Sequence, residues 1–390
     1  MTESHESELA LGVPPASPGE FAQLRIGPLT VWPPVVLAPM AGVTNVPFRQ
    51  ICKRFGAALC VSEMIAARPL AEDNSKTWQL AAFGANESPR SIQLYGVDPL
   101  WVGRAVSRLV EEGHVDHIDF NFGCSVPKVT RQGGGSALPH RPQLLESILR
   151  AAVTAAGSIP VTVKFRLGLT DDHLNYVRTA QIAEQCGCAA VTLHARTAEQ
   201  YYDGHADWEH IAELKRRVGI PVLGNGDIWE AADALRMMRQ TGCDGVVVGR
   251  GCLGRPWLFD DLQSMFAGRR PSEPPNLGQI VDLMKEHLMA LIEMMGETRA
   301  VLSFRRQATW YTKGFRSSTT LRDRLVLAAS KNEVFAHLDG VDRAQAFPRS
   351  ALRVARGKST GRKQLCLPDG YLERPEAAAL PVEGLFADGG

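Results

Sequence analysis

Between residues 35 and 248 the chain alternates short apolar, β-branched segments with longer segments whose apolar residues recur at helical spacing. The short segments predict eight strands: Val35–Pro39, Ala58–Ser62, Ser91–Leu94, His117–Phe120, Val161–Phe165, Ala190–Leu193, Pro221–Leu223 and Gly245–Val248. The longer ones predict helices that include Val102–Glu112, Pro142–Ala156, Tyr176–Gln185, Trp208–Arg217 and Ala231–Gln240. Before them, the alternation from Leu24 to Trp32 around Gly27-Pro28 predicts a short hairpin.

Eight strands that alternate with helices are the pattern of an α/β fold, either a (β/α)8 TIM barrel or a doubly wound open sheet. The residues that follow the strands favour the barrel, because each strand ends in polar, charged or glycine residues and only a barrel brings eight strand ends to one mouth. In chain order these residues are Pro39-Met40-Ala41, Ser62-Glu63, Gln93, Asn121 with Cys124, Lys164 with Arg166, His194 with Arg196, Asn225-Gly226-Asp227 and Gly249-Arg250.

The periodicity changes after the Pro-rich stretch that ends at Pro275. Apolar residues at helical spacing follow an Asn276 that suits a helix N-cap, and a second helix is predicted from Ala300 to Lys313. The sequence therefore predicts a barrel over residues 21–270, followed by a small all-α helical domain over 276–354. The polar residues 1–20 are predicted to be a disordered leader, and residues 355–390 a flexible tail.

Charge is distributed unevenly although the net charge is only +1. Residues 299–331 hold eight Lys and Arg against Asp323 alone, and residues 343–363 add seven more without an acid. A local basic excess of this kind predicts a face that binds a polyanion, and an ordinary solvated helix face is the alternative.

Composition places the chain among globular proteins. It is 45% hydrophobic and 22% charged, without an apolar run long enough to span a membrane and without a signal-peptide pattern at the N-terminus. The eight cysteines are scattered without a CxxC pair, which predicts reduced thiols, no metal site and a cytoplasmic location.

A glycine-rich stretch, residues 249–254, satisfies the G-x-G-x-x-G pattern of dinucleotide sites. The further strand and acidic residue that such a site requires are missing, because the chain enters the Pro-rich stretch instead. Together with Asn225-Gly226-Asp227, Gly249 and Arg250 instead predict a barrel phosphate site. One phosphate beside a mouth lined with Gln, Asn and Lys suggests a phosphorylated mononucleotide cofactor.

The segment from Asp119 to Lys128 begins as a strand and ends in a loop that carries Cys124, and a second glycine loop follows at residues 132–136. A buried structural cysteine is the usual explanation of a lone cysteine. The neighbouring Asn121 and the polar residues on the other strands favour a reactive thiol instead.

These motifs resemble the bacterial tRNA-dihydrouridine synthases, flavin enzymes that reduce uridine in tRNA. The matching stretches lie at residues 37–49, 91–96, 119–129, 133–139, 161–168, 193–208, 225–228 and 246–259. The family usually has Pro after the cysteine, where this chain has Ser125. The resemblance implies an FMN-binding barrel and a tRNA-binding helical domain, with NADPH as the electron donor and no requirement for an oligomer or a metal.

By the same resemblance, FMN gives hydride to carbon 6 of the uracil and Cys124 protonates carbon 5. An ordinary thiol stays largely protonated at neutral pH, which suits this role. The expected cofactor ligands are Pro39, Met40, Ala41, Gln93, Lys164, His194, Asn225, Gly226, Asp227, Gly249 and Arg250. The expected tRNA ligands are Asn121, Arg196, Arg305 and Arg306.

Two other functions are compatible with parts of the sequence. A small-molecule flavin dehydrogenase of the dihydroorotate or dihydropyrimidine type would share the barrel and FMN, but would not need the basic C-terminal residues. A non-catalytic tRNA binder would not need Gln93, Cys124 and Lys164 together.

Overall fold

The computed structural model describes residues 12–316, 318–357 and 361–373. Within them the strands are β1 (Leu24–Ile26), β2 (Leu29–Val31), β3 (Val35–Leu37), β4 (Leu59–Ala66), β5 (Ser91–Tyr95), β6 (His117–Phe122), β7 (Val161–Arg166), β8 (Ala190–His194), β9 (Val222–Asn225) and β10 (Gly245–Val248). The helices are α1 (Val46–Arg54), α2 (Ala67–Ala71), α3 (Ser75–Leu80), α4 (Pro99–Glu111), α5 (Pro127–Thr130), α6 (Pro142–Ala156), α7 (Tyr176–Gln185), α8 (Glu209–Arg217), α9 (Ala231–Thr241), α10 (Leu258–Phe266), α11 (Leu277–Met295), α12 (Glu297–Tyr311), α13 (Ser318–Leu327) and α14 (Lys331–Asp339).

Strands β3 to β10 are parallel and close into a barrel in which β10 pairs with β3. The (β/α)8 prediction is therefore confirmed, and the open-sheet alternative is wrong. All eight predicted strands are present. The largest departure is β4, which continues through an irregularity between Val61 and Met64 and ends at Ala66. Glu63 consequently lies within a strand and not after one.

The predicted hairpin is also present, as the antiparallel pair β1 and β2. Leu24, Ile26 and Val31 are buried in one cluster with strand residues that include Val36 and Leu59. A Cβ atom at Gly27 would lie 3.1 Å from Pro160, which directly precedes β7. The hairpin therefore covers the amino-terminal end of the barrel, so the mouth that remains is the carboxyl end, where barrel enzymes carry their chemistry.

Strand β6 shows why polar side chains reach that mouth. Ile118, Phe120 and Phe122 are buried in the main apolar core with residues of the surrounding helices. Because side chains alternate along a strand, His117, Asp119 and Asn121 face the barrel interior.

Helices α11 to α14 form a second apolar cluster, as the sequence predicts for the region after Pro275. Helix α11 begins after Asn276, whose side chain accepts a hydrogen bond from Gln279 N, and ends at Gly296, which has a φ of +79°. Ile51 of α1 and Trp257 belong to the same cluster, so the helical region packs directly on the barrel.

The described part of the predicted leader is ordered against the barrel, unlike the expectation of disorder for residues 1–20. Ala16 is buried and its N–H donates to Met265 O at 2.9 Å, while Glu20 pairs with Arg239 at 2.6 Å. These contacts join segments that are distant in the sequence. A short polar segment has no hydrophobic periodicity from which they could be predicted. Residues 1–11 lie outside the described chain.

The predicted flexible tail differs in the same way where it is described. Arg356 is buried and donates to Trp310 O at 3.1 Å, and Tyr371 is buried against the loop that follows β6. Residues 358–360 and 374–390 lie outside the described chain. In the part that is described, no helix has the length and apolar character needed to cross a membrane.

Candidate active site

A chain of side-chain hydrogen bonds joins β5, β6 and β7 inside the barrel. Gln93 Nε2 donates to Asp119 Oδ2 at 2.7 Å, and Asn121 Nδ2 donates to Gln93 Oε1 at 2.8 Å. Thr162 Oγ1 donates to the other carboxylate oxygen, Asp119 Oδ1, at 2.6 Å. An ionised carboxylate only accepts hydrogen bonds, so Asp119 fixes which way the Gln93 amide points.

Asn121 continues this chain to the cysteine loop. Its Oδ1 accepts hydrogen bonds from Gly123 N at 3.1 Å and from Cys124 N at 2.8 Å. The donors of Asn121 therefore orient Gln93 while its acceptor orients Cys124, which is partly exposed at the mouth. The buried hydroxyl of Ser125, which stands where the family usually has Pro, makes no hydrogen bond to the described residues.

Burial shifts the titration of three groups in the barrel. It raises the pKa of Asp119 to about 6, against the opposing effect of the hydrogen bonds from Thr162 and Gln93. Burial together with the charge of Arg166 lowers the pKa of Lys164 to about 7. Burial and four surrounding cations hold the pKa of His194 well below its usual value, so its imidazole is neutral at pH 7.

A second cluster of charges follows β8, β9 and β10. Arg196 is buried and pairs with Asp227 at 2.8 Å, and it also donates to the carbonyls of Asp203 and Gly204. The Arg250 guanidinium lies 4.1 Å from the ring centroid of Tyr202. Nη1 of Arg196 and of Arg250 are buried without a hydrogen-bond partner among the described residues. Unsatisfied guanidinium donors of this kind suit an anionic ligand.

Gly226 lies next to the Arg196 guanidinium. It has a φ of +129°, and a Cβ atom there would lie 2.6 Å from that of Ala206. The backbone beside Arg196 and Asp227 therefore requires glycine at this position.

The side chains at the strand ends surround a cavity of about 300 Å³ at the mouth. A smaller cavity adjoins it beside Arg196, Asp227 and Arg250. The residues that line the larger cavity include Pro39, Met40, Ala41, Gln93, Asn121, Cys124, Lys164, Arg166, His194, Tyr202, Arg250, Arg306 and Trp310. The smaller one is lined by Lys164, His194, Arg196, Asn225, Gly226, Asp227, Trp229, Gly249 and Arg250, among others. A larger groove between α4 and α6, of about 850 Å³, contains none of the strand-end residues.

The helical region reaches the mouth through α12. The Arg306 guanidinium donates to Gly42 O at 2.8 Å and lies 5.5 Å from the ring centroid of Trp310. Arg305 is its neighbour in the sequence but points elsewhere, donating to Ala328 O at 2.8 Å. Tyr311 is buried 3.1 Å from His287 Nδ1, so it packs within the helices and does not face the cavity.

The structure thus brings together most of the residues selected from sequence. The Asn225 side chain donates to Val247 O at 2.7 Å, on the neighbouring strand. Arg196 lines the smaller cavity and not the one that contains Cys124. The sequence pattern does not distinguish Tyr202 and Trp229, which flank Arg250, although Tyr202 lies within a matching stretch. It places Arg166 at a strand end without indicating a role. In the structure this side chain donates to Gly123 O at 3.0 Å and supports the cysteine loop.

A polar, charged cavity at the carboxyl end of a closed (β/α)8 barrel is the arrangement of a TIM-barrel enzyme. The model of the family described as dihydrouridine synthase (Dus) matches residues 36–351. The chain belongs to this family.

Individual relatives agree. The chain is 48% identical to a probable tRNA-dihydrouridine synthase of Mycobacterium tuberculosis, over 94% of this chain and 96% of that protein. It is 39% identical to tRNA-dihydrouridine synthase B of Shewanella oneidensis, over 74% and 89%. A solved structure of morphinone reductase gives a TM-score of 0.47 at 15% identity, over 66% of this chain and 93% of that one, a likeness too weak to carry a functional conclusion.

Proposed function

We propose that the protein reduces uridines in tRNA to 5,6-dihydrouridine, with Cys124 as the proton donor, FMN in the barrel mouth and NADPH as the electron source. The observation that carries this proposal is the position of Asn121, which hydrogen-bonds both Gln93 and the backbone of Cys124. One amide thereby links the group best suited to a flavin ring with the group best suited to donate a proton.

The residues present suit FMN. Arg250 and the backbone around Gly226 and Gly249 would hold its phosphate, since buried guanidinium donors lie there without partners. Gln93 would bind the polar edge of the ring, and the segment Pro39 to Ala41 would lie along it. Bound FMN would supply the hydride, which no ordinary side chain carries.

Lys164 would stabilise negative charge on a ligand bound in the mouth. Burial lowers its pKa to about 7, so a nearby anion would favour its charged form again and raise this pKa. Neutral His194 would contact the cofactor or the base as a hydrogen-bonding group and not as a cation.

The role of Cys124 follows from its place in the cavity. It lies at the mouth beside Asn121 and Arg166, and its loop is held by hydrogen bonds at Gly123 and at its own N–H. Because Cys124 lines the cavity, a uracil seated there would lie beside the thiol, which would donate the proton that carbon 5 requires. General acid catalysis from a fixed position is typically worth about 100- to 10,000-fold.

The proposed tRNA contacts lie on the helical side of the mouth. Arg306 and Trp310 line the cavity from α12, so a phosphate and a base could be bound next to the site of reduction. A uridine inside folded tRNA must leave its stack to reach a barrel mouth, as in other base-modifying enzymes. We accordingly assign cofactor binding to residues 21–270 and tRNA binding to residues 276–354. We also propose a cytoplasmic location, which suits an enzyme that acts on tRNA.

The test is direct. Purified protein with FMN and NADPH is incubated with tRNA transcribed in vitro, and the nucleosides are analysed by mass spectrometry. Dihydrouridine is expected in tRNA, and free uracil and free orotate, which carry the same 5,6-double bond, should not be reduced. Turnover of a free pyrimidine without any turnover of tRNA would support the small-molecule dehydrogenase instead.

A further inference from the structure

The C-terminal segment 361–373 lies beyond the residues that match the family model, which end at 351, yet it contacts two loops at the barrel mouth. Its first contacts are with the loop after β8. Lys363 N donates to Glu199 O at 2.9 Å, and the Lys363 ammonium lies 4.4 Å from the ring centroid of Tyr201. The segment then reaches the loop after β6, which carries Cys124.

Tyr371 makes the contact with that second loop. Its side chain is buried, and its phenol oxygen lies 3.2 Å from Ala137 O and 3.4 Å from Gly133 O. Both partners are carbonyls, so the phenol must be the donor, and burial raises its pKa to about 12, which keeps the proton in place. The Arg141 guanidinium lies 4.3 Å from the ring centroid and covers the ring.

The loop that Tyr371 contacts in turn holds Cys124. Ser136 N donates to Cys124 O at 2.9 Å. Gly135 has a φ of +56°, and a Cβ atom there would lie 2.3 Å from the same oxygen. The loop therefore packs closely against the Cys124 backbone, and this hydrogen bond couples the position of residues 133–137 to that of the cysteine.

We propose that Tyr371 is a positioning residue for Cys124, acting through the hydrogen bond between its hydroxyl and the 133–137 loop. The cysteine backbone is then held from two sides. Asn121 holds its N–H from within the barrel, and the loop anchored by Tyr371 holds its carbonyl from outside. The inference concerns the geometry of the thiol, and its catalytic consequence rests on the proposed function of Cys124 as the proton donor.

The first readout does not depend on activity. Among the eight cysteines only Cys124 and Cys366 are partly exposed, so a Cys366→Ser background leaves Cys124 as the accessible thiol for iodoacetamide. In this background Tyr371→Phe, which keeps the ring and removes the hydroxyl, should change the alkylation rate of Cys124 by about fivefold, as expected for loss of one hydrogen bond. Tyr176→Phe is the matched control, because its hydroxyl donates to Glu213 of α8 and not to the 133–137 loop.

The second readout divides the reaction into its halves. Tyr371→Phe should leave the reduction of bound flavin by NADPH unchanged, and should lower the rate of uridine reduction at saturating tRNA by about fivefold without raising KM. Tyr371→Leu, which also removes the ring, should give the same pattern with a larger effect. A merely structural role would reduce flavin content and both half-reactions together.

Two results would overturn the proposal. One is an alkylation rate in Tyr371→Phe equal to that of the Cys366→Ser background. The other is a parallel loss of flavin and of both half-reactions in Tyr371→Phe and Tyr371→Leu. If the wild type produced no dihydrouridine but alkylation still responded to Tyr371→Phe, the proposed function would fail while the positioning of Cys124 would stand.

Discussion

Asn121 Nδ2 lies 2.8 Å from Gln93 Oε1, on the neighbouring strand of the barrel. Gln93 Nε2 donates to Asp119, so the nitrogen and the oxygen of the Gln93 amide each have a hydrogen-bond partner on β6. The orientation of Gln93 is therefore set by two residues of β6 before any ligand binds. Preorganised polar groups of this kind make recognition of a fixed ligand edge less costly.

Asn121→Asp should separate cofactor binding from the shape of the cysteine loop. The new carboxylate still accepts from Cys124 N but repels Gln93 Oε1, so the Gln93 amide must rotate away from Asp119. We expect FMN affinity to fall by about tenfold, since unpaired buried polar groups are costly. Fluorescence titration of flavin-free protein measures this. Asn74→Asp, at the cap of α3, is the control, and equal FMN affinity in both variants would contradict the assigned role of Gln93.

Asp119→Asn should change how stability depends on pH. Burial raises the folded-state pKa of Asp119 to about 6. Its favourable contribution to the free energy of unfolding is therefore complete below about pH 4 and is lost as pH rises through 6. The asparagine variant lacks this loss. Its unfolding free energy relative to wild type should therefore rise between pH 4 and 7 by up to roughly 3 kcal/mol.

Urea unfolding of flavin-free protein measures that difference, with Asp323→Asn on an exposed helix face as the control. FMN affinity should fall in Asp119→Asn above about pH 6, where the wild-type carboxyl is ionised, because an asparagine cannot accept from Gln93 and Thr162 at both of its side-chain atoms. A pH-independent difference in unfolding free energy would contradict this assignment, because it would show that burial does not raise the pKa of Asp119 above its value in the unfolded chain.

Arg306→Gln and Arg305→Gln form a matched pair on one helix. Loss of a phosphate contact by Arg306 should weaken tRNA binding and flatten the slope of log K against log salt by about one unit. Arg305 donates to the Ala328 carbonyl, so its variant should instead lose about 1 kcal/mol of stability with the salt slope unchanged. Filter binding at several salt concentrations, together with thermal unfolding, distinguishes the two; an unchanged slope in Arg306→Gln would move the tRNA contact elsewhere.

Local patterns were enough to predict the barrel and its strand ends. Helices α6 and α7 begin and end where the apolar period predicts, and α11 begins after the predicted cap Asn276. The residues at the strand ends converge because parallel strands of a barrel share one mouth, so their positions follow from the fold.

Contacts between distant segments could not be predicted in this way. That Asp119 orients Gln93 depends on the pairing register of β5 and β6, which no single strand reveals. The different directions of Arg305 and Arg306 depend on how α12 packs, and charge counting treats them alike. Tyr371 is buried against a loop more than 200 residues earlier in the sequence, and its polar surroundings in the chain suggest a flexible tail.

The central claim is that Cys124 supplies the proton when a uridine in tRNA is reduced. The most direct measurement is a single turnover in which protein with prereduced FMN is mixed with tRNA, and dihydrouridine is quantified over time by mass spectrometry. Cys124→Ala should bind FMN and tRNA normally and form dihydrouridine about 100- to 10,000-fold more slowly than wild type, while Cys366→Ala keeps the wild-type rate. Formation of dihydrouridine by Cys124→Ala at the wild-type rate, or none by the wild type, would contradict this account.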